Sequence, residues 1–236
     1  MVLFIAATVL AQAPQAGQSP ETYARKVTID VQGRYLLYLP QDYTTNRHKK
    51  YPLILFLHGS GERGTDLNKV KTHGPPKEIE NGRQFDFVIL SPQCDERGGW
   101  YVPSLTGLLD EAEHRFRVDK DREYLTGLSM GGMGTYALAV AQPKRFAAIA
   151  PISGAANPSI APKIKDIPIW ATHGAKDPTV NIASEQPLID ELKRLGADVK
   201  YDVIPEGQHD VWTPVYQSHA LYDWFMRHKR GVKESQ

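Results

Sequence analysis

The sequence predicts one α/β domain, a mostly parallel sheet covered by helices on both faces. Three observations predict it: short continuous apolar runs bounded by turns, helical stripes lying between them, and no linker, repeat or low-complexity block from Tyr23 onward. The 236 residues suit one domain of ordinary size.

The elements follow in order. Arg25–Val31 alternates through Val27, Ile29 and Val31, turns at Gln32-Gly33, and predicts a hairpin with Tyr35–Leu39. The buried-strand runs are Leu53–Leu57, Phe87–Leu90, Tyr124–Thr126, Ala147–Pro151, Ile167–Thr172 and Val199–Ile204. Leu105, Leu108, Leu109, Ala112 and Phe116 form one helical stripe, with Ser104 placed as its N-cap. Leu188, Ile189, Leu192 and Leu195 form another, stopped by Gly196. A last helix is expected from about Thr213 to His228, with Tyr216, Ala220, Trp224 and Phe225 inward. Residues 21–236 are thus assigned to a single domain.

Composition excludes several functions. Lys+Arg at 28 against Asp+Glu at 27 leaves a net charge of +1, which argues against a nucleic-acid surface. Cys94 is the single cysteine, so neither an intrachain disulfide nor a cysteine-based zinc site is available. The apolar stretch Val2–Ala11 falls short of the roughly 20 residues that span a bilayer. With Ala11-Gln12-Ala13 behind it and a polar stretch to Pro20, it predicts an export signal and arm over residues 1–20, although no Lys or Arg precedes it. On that reading the mature chain is periplasmic or secreted; without a functional leader it is cytoplasmic.

Gly127-Leu128-Ser129-Met130-Gly131 is a G-x-S-x-G pattern between a strand run and the helix-like stretch Gly132–Ala141. A serine on such a sharp strand-to-helix turn sits in a strained backbone, and the flanking glycines permit the close approach. Ser129 is therefore the candidate nucleophile. A serine hydroxyl needs a base, and in this arrangement acid and histidine follow it in the chain. His209 in Gly207-Gln208-His209-Asp210, just after the last strand run, is the candidate base. His48 and His228 lie in basic, polar surroundings and read as solvated. His219 falls in the last helix, and His73 and His114 precede the serine. His58 and His173 each end a strand before a glycine and read as backbone-bonding residues. Asp177, in the loop His173–Pro178, is the candidate acid that holds the imidazole tautomer. Its rivals Asp202, Glu206 and Asp210 lie in mid-strand or too close to His209 in sequence.

Acyl transfer also needs donors for an oxyanion. The loop Leu57–Gly64 follows a strand and is glycine-rich, so the N–H groups of Ser60 and Met130 are the candidates. Gly59–Gly64 also matches the dinucleotide fingerprint G-x-G-x-x-G, but no strand ending in an acid follows at the required distance. Trp100, Tyr101 and Trp212 are candidate substrate-binding aromatics, with core packing an equal alternative for each. Cys94 lacks an elbow and reads as a packing residue.

With these residues in hand the chain resembles the α/β-hydrolase superfamily. More narrowly, it is similar to small bacterial carboxylesterases of the phospholipase/carboxylesterase and feruloyl-esterase-like branches. The likeness rests on Leu57–Gly64, Ser91-Pro92-Gln93-Cys94 with Trp100-Tyr101, Gly127–Gly132, the Asp177 loop and His209-Asp210-Val211-Trp212. It implies a cofactor-free serine hydrolase of small-molecule carboxylic esters. The gap from Ser153 to Asp166, where a lid is usually inserted in this fold, leaves room for about one helical turn. The expectation is an open cleft and short-chain or aromatic, feruloyl-like esters. A serine peptidase or thioesterase with the same triad, and a hydrolase-fold binding protein without catalysis, are the alternatives.

Overall fold

The computed structural model describes Arg25 and residues 27–95 and 98–232, so the expected export signal lies outside the described residues. The chain divides into two units. In Met1–Asp30 the described residues form neither helix nor strand, whereas Val31–Gln236 holds every element below.

Among the described residues, seven strands form one sheet: β1 (Tyr35–Tyr38), β2 (Tyr51–Leu57), β3 (Val88–Pro92), β4 (Val118–Leu128), β5 (Ala148–Ile152), β6 (Ile169–Gly174) and β7 (Val199–Ile204). Their order is β1-β3-β2-β4-β5-β6-β7, parallel throughout except for β1, which runs antiparallel to β3. Among the same residues they are accompanied by α1 (Gly74–Glu80), α2 (Val102–Arg115), α3 (Met130–Ala141), α4 (Ala161–Ile164), α5 (Gln186–Arg194), α6 (Trp212–Gln217) and α7 (Ala220–Arg227).

Strand residues alternate between two apolar layers. Leu53, Leu55 and Leu57 face a cluster with Leu105 and Leu109 of α2, Tyr136 and Leu138 of α3, and Leu188 and Leu192 of α5. Ile54 and Phe56 face the opposite cluster, with Tyr216 of α6 and Leu221, Trp224 and Phe225 of α7. All seven residues of β2 are buried, which is why this central strand reads as an unbroken apolar run. Gly196 ends α5 as expected. Its φ is +73°, its N–H bonds to Lys193 and that of Ala197 to Leu192, the two bonds of a Schellman cap.

Four expectations are corrected. The hairpin does not form: residues 27–34 carry no strand, Val27 and Ile29 are exposed, and β1 pairs with β3 instead. A period-2 pattern marks which face is apolar, not that a partner strand exists. Ser104 is not an N-cap, because α2 begins two residues earlier with Pro103 in its first turn, where proline loses no hydrogen bond. The last helix is two helices. At Ser218 the backbone is extended and the side-chain oxygen accepts the Ala220 N–H at 3.0 Å, a local bond that competes with helix continuation and leaves Ala220 exposed. His228 is buried rather than solvated; its Nδ1–H donates to the Trp224 carbonyl at 2.8 Å.

β3 lies on one side of β2 and β4 on the other, so the chain reverses its direction of winding between β2 and β4. The crevice beyond the carboxyl ends of strands at such a point is where ligands bind in open α/β sheets.

Candidate active site

Both chain segments at this crevice are set by backbone contact. Leu57 pairs with Gly127, so the loop after β2 and the turn after β4 emerge side by side. A Cβ at Gly131 would lie 1.9 Å from the Leu57 carbonyl, and one at Gly127 2.4 Å from that of Gly131. Only glycine permits this approach. Between them Ser129 has φ +55° and ψ −118°, a strained backbone for a residue with a side chain, anchored by its N–H to Ile152 at 2.9 Å.

Three side chains from separate loops converge here. Ser129 Oγ lies 2.9 Å from His209 Nε2, and His209 Nδ1 lies 2.7 Å from Asp177 Oδ2. A carboxylate only accepts, so Nδ1 carries the hydrogen and Nε2 is free to accept from the serine hydroxyl. Asp177 Oδ1 accepts the N–H groups of Thr179 at 2.8 Å and Val180 at 2.9 Å. Burial pushes the Asp177 pKa up, but the bonds from His209 and these two amides outweigh it and hold the carboxyl below its ordinary value. Asp177 is thus ionised and its orientation fixed at both oxygens.

On the other side of Ser129, the Gly59 N–H is taken by Glu62 Oε2 at 2.9 Å. Ser60 opens the 3₁₀ turn Ser60–Glu62 and Met130 opens α3, first-turn positions whose N–H groups have no partner within the helix. Arg63 Nε donates to the Ser60 carbonyl at 2.9 Å and holds this loop. Gly59–Gly64 contains only a short 3₁₀ turn at Ser60–Glu62, not the helix of a nucleotide fold.

The three aromatics have different surroundings. Trp100 donates Nε1–H to the His58 carbonyl at 3.2 Å and packs on the His58 ring and beneath Gly134. Trp212 is buried and meets the His209 ring edge-on at 5.1 Å, walling the imidazole. Tyr101, half exposed, is the one of the three that a solute can reach freely. Cys94 is buried beside Gly99.

Two residues at the site were not singled out in the sequence. Ser153, fully buried and at φ +48°, donates its hydroxyl to the His209 carbonyl at 2.9 Å. Glu185 is buried against His173. A serine after a strand and a glutamate opening a helix are too common to carry a signal.

The model of the family "Esterase: Putative esterase" matches residues 28–197. Among curated proteins, the chain is 28% identical to "Probable feruloyl esterase C" of Aspergillus niger, over 72% of this chain and 64% of that one. It is also 28% identical to "Bifunctional acetylxylan esterase/xylanase XynS20E" of Neocallimastix patriciarum, over 61% of this chain and 21% of that one. The chain therefore spans less than two thirds of the length of either. A solved thermostable esterase superposes with a TM-score of 0.72 at 30% identity, covering 83% of this chain and 59% of its own. The fold is the α/β-hydrolase fold, and the match over residues 28–197 makes this protein a member of that esterase family.

Proposed function

We propose that the protein is a serine carboxylesterase acting on short-chain or aromatic, feruloyl-like esters. The observation that carries the reading is the continuous relay Ser129–His209–Asp177, with contacts of 2.9 and 2.7 Å around a strained serine. Ser129 Oγ attacks the ester carbonyl while its proton passes to His209 Nε2. The tetrahedral oxygen sits against the N–H groups of Ser60 and Met130. His209 then returns the proton to the departing alkoxide, and a water deprotonated by His209 hydrolyses the acyl-enzyme. The steps balance with water as the sole co-reactant.

Substrate class rests on the access route. Between β5 and β6 the chain forms only a 3₁₀ turn and the four-residue α4, so no apolar cover of the kind long acyl chains need is built there. The feruloyl esterase and acetylxylan esterase relatives support an acyl group that is aromatic or short.

Ser129→Ala is expected to lower ester turnover by at least about 10³-fold and to abolish labelling by a fluorophosphonate probe. Retained turnover removes Ser129 from the mechanism. A series of p-nitrophenyl esters from acetate to palmitate, with methyl ferulate alongside, tests the substrate class; a maximum at palmitate overturns it.

A further inference from the structure

Next to Asp177 lies a buried histidine–glutamate pair that the reaction above does not use. His173, on β6, has no solvent exposure. Its Nδ1 lies 2.7 Å from Glu185 Oε2, and its Nε2 2.8 Å from the Val180 carbonyl and 3.4 Å from Asp177 Oδ2. A carbonyl accepts at every pH, so Nε2 carries a hydrogen. The remaining proton is shared between Nδ1 and Glu185. Tyr136 on α3 donates to Glu185 Oε1 at 2.8 Å. Tyr201 on β7 lies close to the same carboxylate, its hydroxyl bonded to no group among the described residues. Burial pushes the Glu185 pKa up and the bonds from His173 and Tyr136 oppose it, so these two donors are what favour the ionised glutamate. Burial by itself would lower the His173 pKa, but Glu185, the Val180 carbonyl and Asp177 outweigh it and raise it. The two tyrosines are held neutral by burial, their pKa values pushed up.

One oxygen of Asp177 therefore lies between two imidazoles, His209 at 2.7 Å and His173 at 3.4 Å. We propose that His173, carrying a hydrogen on both ring nitrogens between Glu185 and the Val180 carbonyl, is a positioning residue that pins the turn 177–180 and so holds Asp177 in place for His209. The inference rests on the reading of Asp177–His209 as the catalytic relay. The turn that carries Asp177 is thus held from two sides, by His209 at one face of the carboxylate and by the His173 ring at the other. Glu185 lies on the far side of the His173 ring and fixes the orientation in which that ring meets the turn.

Two measurements test this. In the unaltered protein, ring-nitrogen NMR of histidine at neutral pH, assigned through the His173 backbone, is expected to find both His173 nitrogens protonated. A ring nitrogen without a proton overturns the proposal. In His173→Gln, kcat on p-nitrophenyl acetate is expected to fall about tenfold with KM changed by less than about twofold. A merely structural role would lower the fraction of folded protein and not kcat per fluorophosphonate-titrated serine, so an unchanged kcat per titrated site also overturns the proposal. Fluorophosphonate labelling separates the two failures. A labelled protein with an unchanged kcat leaves the serine mechanism standing, whereas an unlabelled wild-type protein overturns both readings.

Discussion

His58 and His173 stand near the ends of two strands, and their surroundings pull their proton affinities in opposite directions. His58 follows β2 and His173 is the penultimate residue of β6; each precedes a glycine, and neither is exposed. His58 has one partner of each kind: its Nδ1–H donates to the Gly59 carbonyl at 2.6 Å and its Nε2 accepts the Cys94 N–H at 3.0 Å. Only a neutral ring satisfies both. Burial drives its pKa down to about 4, with the Arg63 cation adding to the effect against a smaller opposing pull from the Gly59 carbonyl. His173 meets acceptors alone and is held above its ordinary value. A single partner that donates instead of accepting therefore separates the two rings. Here a neutral ring braces the candidate oxyanion loop, and a ring that meets only acceptors braces the acid.

The largest test of the comparison uses the glycines that follow the two histidines. A Cβ at Gly174 would lie 2.1 Å from the Gln208 carbonyl, in the backbone that carries His209. A Cβ at Gly59 would meet Leu128 Cδ1 at 2.8 Å, the end of a side chain. Gly174→Ala is expected to lower kcat by about 10²-fold or more, since a displacement of about 1 Å in a relay costs that much. Gly59→Ala is expected to stay within about tenfold. Equal losses would show that the two strand ends are not held differently.

Next in size is the pH dependence of stability, where the two rings give opposite slopes. The folded-state pKa of His58 lies below its ordinary 6.5, so on acidification the unfolded chain takes up the proton first. Its contribution is intact above about pH 6.5 and is lost on descent to about pH 4, a fall of about 3 kcal/mol. For His173 the folded value is raised, so its contribution is present at low pH and is lost as pH rises through that value. Urea unfolding across pH checks this. His58→Gln, which can still donate and accept, is expected to flatten the acid side; an unchanged acid slope would mean that His58 is not neutral in the fold.

The smallest effect concerns the bonds at each site. Tyr136→Phe removes a donor from the Glu185 carboxylate and is expected to cost about 2 kcal/mol. Trp100→Phe removes a donor from the neutral His58 carbonyl and is expected to cost about 1 kcal/mol. Denaturant midpoints rank them, and the reverse ranking would argue that Glu185 is protonated.

The strand runs were legible because a strand buried on both faces must be apolar at every position, as β2 is. β4 was read only at its apolar end. Its start, Val118 to Glu123, is rich in charge and joins the sheet by pairing with Tyr51 and Leu53. The elbow was legible because Gly127 and Gly131 abut backbone at distances that no Cβ survives. Ser153 and Glu185 were not legible, because nothing local distinguishes them. Their roles exist only where β5, α3 and the loops after β6 and β7 meet.

By itself the sequence determined the alternation of strands and helices, the glycines around Ser129, and the chain order in which an acid and a histidine follow. These are local requirements of sterics and burial, written residue by residue. Only the tertiary structure decided that the N-terminal alternation has no partner strand, that the last helix breaks at Ser218, and that the two buried histidines meet different partners. Each of those depends on a partner distant in the chain, and the proton on a buried ring is set by the partner it meets rather than by the residues beside it.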